Sequence, residues 1–343
     1  MKLTKLTAPM TFENLELPDP GVPQDGILVQ AAACGLTDHD VKAWFGEVAS
    51  ETGVLGGQVA GTVVAVGENA TGYAVSDRVL VSRYVSCGEC LSCRTGKPQQ
   101  CRNRKELGDQ LMGGMAEILT LDGHMLRNGC IAKIPRNLKF EEIGGADATA
   151  AVFHTHRSCG IGPGQRILVL GCGPAGCMHT HIAKLRGADT IIQADVVASR
   201  MEMSRPFMAD YLLDLSWEDL GETVREATGG KGVDVAIVAA SDPAAMALAV
   251  RETAPGGKVV LFSRFGEKGR QVPVDLATLQ EKQLRLLAFD GYTKEDVEEV
   301  LWLASKRKIN LKWMVTSVVD PEDVPKKMDA IHSGKELRVV VHP

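Results

Sequence analysis

Thirty residues, Arg166–Asp195 (RILVLGCGPAGCMHTHIAKLRGADTIIQAD), constrain the fold of this 343-residue chain more than any other stretch. Ile167–Leu170 is a short apolar run, the pattern of a parallel strand buried on both faces. It leads into Gly171-Cys172-Gly173-Pro174-Ala175-Gly176, after which the spacing turns helical to about Arg186. Gly187-Ala188-Asp189 closes that helix, and Thr190–Ala194 reads as a second strand ending at Asp195. A lone G-x-G-x-x-G carries little weight in a chain with 36 glycines. Between a strand and a helix, with an acid 19 residues after the third glycine, it reads as a dinucleotide-binding fingerprint. The three glycines serve a tight turn, close approach of backbone to a pyrophosphate, and helix–strand packing. The free N–H groups of the helix N-terminus then face the phosphates. Gly171, Gly173, Pro174, Ala175, Gly176, Asp195 and Arg200 are the expected cofactor contacts. An Asp195 carboxylate accepts from ribose hydroxyls and repels a 2′-phosphate, so NAD(H) is expected over NADP(H). The alternative is an α/β turn that binds nothing.

Composition narrows the class. At 45% hydrophobic, 24% charged and a net charge of −5, the chain has no basic footprint for nucleic acid or an anionic membrane. Its start, MKLTKLTAPMTFENLELPDP, lacks the apolar core of a signal peptide, and no segment reaches a transmembrane length. A cytoplasmic protein of two domains with a small-molecule substrate is expected.

Of nine cysteines, four fall within 15 residues as Cys87-x2-Cys90-x2-Cys93-x7-Cys101. Four thiolates at about 2.3 Å close a tetrahedral zinc site with no open position, which is a structural site. It would hold together a lobe, residues 86–102, with little core of its own. An iron–sulfur cluster, a redox disulfide pair or four unrelated thiols are the alternatives. Cys34, Cys130, Cys159, Cys172 and Cys177 are scattered and read as small buried hydrophobes.

Elsewhere, Ile27–Ala33, Gly53–Gly67 and Asp77–Val81 are β-like with glycine turns, and Glu141–Arg157 reads as one helix. Apolar strands over 232–240 and 255–262 continue the alternation begun at 165, giving a doubly wound parallel sheet to about 290. Lys294–Arg307 is an amphipathic helix and Val340–His342 a closing strand.

These features resemble the medium-chain dehydrogenase/reductase superfamily of zinc-type alcohol, sorbitol and threonine dehydrogenases. The likeness rests on the cysteine lobe, Gly61-x5-Gly67, Asp77-Arg78-Val79, the glycine fingerprint with Asp195, and the tail Ser333-Gly334-Lys335 with Val339-Val340. It implies an α/β chain in two domains. Residues 1–153 and 291–343 form a GroES-like β-rich catalytic domain, 154–290 a Rossmann domain, and the active site lies in the cleft between. A homodimer or homotetramer with NAD(H) and one structural zinc per subunit is implied.

The departures from that family carry more information. Its first motif, A-C-G-(I/L)-C-G-(S/T)-D-x-H, falls on Ala33–Lys42 without a gap. The ligand cysteine is then Thr37, the relay serine or threonine is His39, and the relay histidine is Lys42. The second motif, G-H-E-x-x-G, falls on Gly56–Gly61, so the ligand histidine is Gly57. Only the third ligand position keeps a ligand-type side chain, Asp147. The resemblance therefore implies a retained structural zinc and a lost catalytic one. A metal site rebuilt from His39, Asp38, Asp147 and Gln58 stays open as an alternative.

Without a Lewis acid, His39 is the best proton exchanger near neutral pH. Asp147 would orient its imidazole, Lys42 stabilise an oxyanion or relay protons, and Thr37 donate a hydrogen bond. Asp38 and Asp40 read as loop-holding residues, and His154 and His156 as packing or cofactor-side residues. The expected activity is metal-free hydride transfer between NAD(H) and a small alcohol or ketone. Two alternatives stand beside it: reduction of an activated C=C bond, and NAD(H) binding without turnover.

Overall fold

Short β-prone runs punctuated by glycine fill the first 133 residues, and the structure, a computed structural model describing residues 1–263 and 271–343, turns them into strands. A hairpin of β1 (Lys2–Ala8) and β2 (Thr11–Glu16) comes first. A sheet then forms from β3 (Ile27–Gly35), β4 (Gln58–Val66), β5 (Arg78–Val85) and β6 (Lys105–Glu106). Alongside these, β7 (Ile118–Leu121) pairs with β3 and β8 (Gly129–Lys133) with β5. Ile27, Val29, Val59, Val63, Val79, Val81, Leu119 and Leu121 alternate inward from these strands into one core. The chain's end returns to this sheet: β16 (Arg338–Val341) sets Val340 opposite Gly35 and Val341 opposite Cys34, with β15 (Val315–Val319) outside it. The first compact unit accordingly comprises Met1–Ala150 and Gly291–Pro343, and the second Ala151–Asp290.

The second unit is a six-stranded parallel sheet. Its strands are β9 (Arg166–Leu170), β10 (Thr190–Asp195), β11 (Tyr211–Asp214), β12 (Val233–Val238), β13 (Thr253–Leu261) and β14 (Arg285–Ala288). They lie in the order β11-β10-β9-β12-β13-β14. The order reverses between β9 and β12, and in such sheets ligands bind beyond the carboxyl ends of the strands at that point. Apolar clusters cover both faces, one with Leu168, Ala236 and Val259, the other with Ile167, Val235 and Val260. That two-sided burial is why the strands read as continuous apolar runs.

The single helix expected over Glu141–Arg157 is in fact two pieces, a 3₁₀ turn at Glu141–Ile143 and an α-helix at Ala146–Cys159. Gly144 and Gly145 interrupt it because both pack tightly: a Cβ on Gly144 would lie 2.4 Å from Val340 Cγ2, and one on Gly145 3.0 Å from Met314 Sδ. The division between the two units falls within the α-helical piece, three residues before the expected break. Among the described residues no helix is long and apolar enough to cross a membrane.

His156 and His179 are fully buried in the second unit, with His156 Nε2 3.0 Å from His179 Nδ1. Burial pushes both imidazoles below their ordinary range, His179 to about 3. The unfolded chain takes up protons below about pH 6.5 that the folded chain refuses, so stability is full above that pH and falls as pH drops toward the folded value. For His179 alone this amounts to about 2 kcal/mol between pH 7.5 and 5. A His156→Leu/His179→Leu protein should match wild type in urea midpoint at pH 7.5 and lose markedly less stability at pH 5. Parallel acid limbs in the two proteins would remove the pair as their cause.

Candidate active site

The sharpest local feature is also the most completely assembled. Sγ–Sγ separations are 3.9 Å for Cys87–Cys93, 3.5 Å for Cys90–Cys93 and 3.9 Å for Cys90–Cys101. Tetrahedral zinc at about 2.3 Å from each sulfur needs edges of about 3.8 Å, so the four thiols fit that ion. Backbone N–H groups of Cys87 and Cys90 point at Cys101 Sγ and Cys87 Sγ, each at 3.4 Å, and favour thiolates. Glu89 and Cys90 amides pull the Cys87 thiol down to about 7. Cys34, Cys130, Cys159, Cys172 and Cys177 are all buried and apart from this cluster.

In the second unit the glycine loop joins β9 to the helix Pro174–Leu185, whose first position is proline and whose N-cap, Gly173, has no side-chain cap. The helix's leading N–H groups are thus left for an anion. The glycines differ as the fingerprint requires. Gly171 has φ +119°, open to few other residues; a Cβ on Gly173 would meet nothing within 4 Å; one on Gly176 would lie 1.9 Å from Gly171 O. Asp195 accepts from the Cys172, Val196 and Val197 amides at 2.6, 2.7 and 2.9 Å, which fixes its carboxylate at the end of β10 beside the loop. These residues fit a dinucleotide, with Gly173 leaving room for its phosphates. Arg200 lies on the following helix, Ala198–Ser204, close enough to act electrostatically on Cys172.

In the first unit the candidate catalytic residues surround the helix Asp38–Trp44. Thr37 caps it: its hydroxyl donates to Asp40 Oδ2 at 2.7 Å, its amide donates to the same oxygen at 2.6 Å, and Asp40 Oδ1 accepts from Gly56 N at 2.8 Å. Asp40 is therefore a structural acid, fully buried. Lys42 is not brought to the others; its Nζ pairs with Asp38 Oδ2 at 2.6 Å on the exposed side of the helix, one turn away.

His39 is half-buried, and among the described residues its Nε2 has no hydrogen-bond partner. The nearest carboxylate is not the expected Asp147 but Asp109, with Oδ2 4.0 Å from that nitrogen. Burial and then the Arg83 cation push the imidazole below its ordinary value, while Asp40, Asp109 and Glu106 push back. Asp147 instead accepts from the Ala148 amide at 2.7 Å and faces Arg338 Nη2 at 3.9 Å. Burial raises its pKa, and Arg338 and Arg83 restrain the rise.

Arg83, on β5, is a member of this site that sequence reasoning missed. Its Nη1 donates to Thr37 Oγ1 at 3.3 Å and its Nη2 lies 2.5 Å from Glu106 Oε2. The signal was an arginine in the interior of a largely apolar strand, Arg78–Val85. Tyr292 was missed too; it is buried, its hydroxyl has no hydrogen-bond partner among the described residues, and burial followed by Asp147 raises its pKa.

The donor set does not suit a second metal. Thr37 is engaged as a cap, Gly57 has no side chain, Gln58 Nε2 donates to Ile143 O, and Asp38 is occupied by Lys42. Among the described residues the four cysteines are the sole group gathering three or more His, Cys, Asp or Glu ligand atoms.

Comparison with known proteins agrees with this architecture. Residues 23–136 match the alcohol dehydrogenase GroES-like domain and residues 174–306 the zinc-binding dehydrogenase family. The sorbitol dehydrogenase of Bacillus subtilis (strain 168) is 26% identical over 344 residues, 98% of this chain and 95% of that protein. An L-threonine 3-dehydrogenase of Shewanella putrefaciens is 26% identical over 346 residues, covering 99% and 98%. A dehydrogenase from Sinorhizobium meliloti 1021, solved bound to NADP, superposes with TM-score 0.88 at 25% identity, covering 100% of this chain and 99% of that one. The 2R,3R-butanediol dehydrogenase from Bacillus subtilis shares the fold at TM-score 0.88, 23% identity and the same coverage.

Proposed function

The chain belongs to the medium-chain dehydrogenase/reductase superfamily of oxidoreductases, and from that premise we propose NAD(H)-dependent hydride transfer to or from a small carbonyl or alcohol without a catalytic zinc. The observation that carries the metal-free reading is the donor set: a capping Thr37 and a bare Gly57 stand where metal ligands are expected, with the Arg83 stem beside Gly57. NAD(H) rather than NADP(H) follows from Asp195, whose fixed negative charge opposes a 2′-phosphate.

In the reductive direction, NADH held by the Gly171–Gly176 loop and Asp195 would supply the hydride to the carbonyl carbon and be left as NAD⁺. The C=O π pair would move to oxygen, and His39 would pass it a proton from water. Placing Lys42 outside this step follows from its pairing with Asp38. Asp147, turned toward Arg338, shapes the field around the site rather than orienting His39. A neutral His39 is a hydrogen-bond donor rather than a strong acid, and this favours a second reading on the same residues. There the hydride goes to the β-carbon of an enone, a substrate that needs only a hydrogen bond at its oxygen.

The test is turnover by chelator-washed protein whose remaining metal is the lobe zinc alone. It should oxidise NADH in preference to NADPH with at least one class in a panel of ketones, aldehydes and enones. Activity appearing only on addition of a second equivalent of zinc would overturn the metal-free reading. Tight NADH binding with no turnover in the whole panel would leave a cofactor-binding protein.

A further inference from the structure

The geometry points to Arg83 as a catalytic residue: its guanidinium is the fixed cation that receives the negative charge developing on the substrate oxygen. This rests on the metal-free hydride transfer above and names the group that takes over the charge.

The argument begins with burial. Arg83 is 7% exposed, inside a strand whose neighbours Leu80, Val81 and Val85 belong to the core. Burying a guanidinium is costly unless it is held by good partners. Here they are Glu106 at 2.5 Å, which also lies 3.4 Å from Arg104, and the hydroxyl of Thr37 at 3.3 Å. Thr37 is itself locked by Asp40, and Asp40 by the Gly56 amide, so the guanidinium is fixed by an anchored network. Rigidity of this kind is what makes a charge useful in a transition state.

The second observation is place. A Cβ on Gly57 would lie 3.2 Å from Thr37 Cγ2 and 3.4 Å from Arg83 Cγ and Cδ. The missing side chain at 57 and the arginine stem therefore share one small space, directly against Thr37. The third is reach. Arg83 is a cation common to His39, Asp147 and Tyr292: it lowers the pKa of each. A guanidinium keeps its charge at every working pH and presents a planar fork of donors suited to an oxyanion. When hydride from NADH forms the new C–H bond and the π pair moves to oxygen, that pair gathers beside Arg83. The proton supplied by way of His39 then completes the alcohol, or the saturated carbonyl after an enone.

Arg83→Gln and Arg83→Lys in the full-length, zinc-loaded protein test this. The Gln variant should lose about 10²- to 10³-fold in kcat/KM while binding NADH as before. The Lys variant, which keeps a charge but not the fork, should recover part of the loss. The His39 imidazole, followed by NMR and assigned against His39→Gln, should titrate at higher pH in Arg83→Gln and close to wild type in Arg83→Lys. The other charges facing it, Asp40, Asp109 and Glu106, are unchanged in both. A Gln variant turning over within about threefold of wild type overturns the proposal and leaves metal-free hydride transfer standing. An unmoved His39 titration overturns it even if the protein proves to have no turnover. Should Arg83→Gln not fold, a fully active Arg83→Lys overturns the role of the guanidinium fork.

Discussion

Protein purified without added zinc should carry one zinc per chain, and Cys93→Ser should carry almost none and melt roughly 8–16 °C lower. Four thiols whose sulfurs all lie within 4.8 Å of one another, three of the pairs at 3.5 to 3.9 Å, form a closed cage, so one ion saturates it. Structural zinc in small modules contributes about 10–16 kcal/mol of binding free energy, all of it available only to the folded lobe. Much of that is lost locally, because Leu91–Arg94 is one turn of helix without a buried residue and has no core to fall back on. If about 4 kcal/mol reaches the global transition, a domain of this size melts roughly 8–16 °C lower. Elemental analysis and calorimetry on the two proteins read both halves. Two zinc ions per wild-type chain would mean that the residues around His39 gather a metal after all. Zinc retained by Cys93→Ser would mean that three cysteines suffice and the closed-cage reading is wrong.

The same contrast between local and distant information explains what the sequence made legible. The cysteine cage and the glycine loop are encoded within 15 and 30 residues, so the positive φ of Gly171 and the tight contact at Gly176 arise among near neighbours in the chain. Asp109 lies seventy residues beyond His39, and nothing local ties the two together. They meet because the backbone hydrogen bonds of Thr52, Gly113 and Met115 stitch the segment after residue 50 to the one around 110. Arg83 escaped for a different reason: arginine is mostly an exposed residue, and only the folded sheet, with β5 flanked by β4, β6 and β8, shows it buried. Lys42 was given an oxyanion or relay role by its place in the family motif; the folded chain sets it on a helix one turn from Asp38, where the two pair. The break at Gly144-Gly145 was invisible because the partners that demand glycine, Val340 and Met314, come from the far end of the chain.

His39→Ala should lower kcat/KM by about 10²- to 10⁴-fold and leave NADH affinity unchanged. The residue lies in the first unit, apart in sequence from the nucleotide loop, and among the described residues its Nε2 has no hydrogen bond to lose. The pH profile makes the assignment specific. In the oxidative direction the neutral imidazole takes the proton, so the rate climbs with pH through the His39 pKa and is flat above it. Burial and Arg83 set that pKa below the ordinary 6.5, so wild type should already be near its plateau at neutral pH. Asp109→Asn removes one of the carboxylates that hold the pKa up, and the climbing limb should move to lower pH, opposite in direction to the shift expected for Arg83→Gln. A general disturbance of the helix Asp38–Trp44 would lower the rate in both variants without moving the limb in opposite directions. If His39→Ala keeps the wild-type profile, the titrating group is another one. Asp147 and Tyr292, both buried under the same arginine, would be the next to replace.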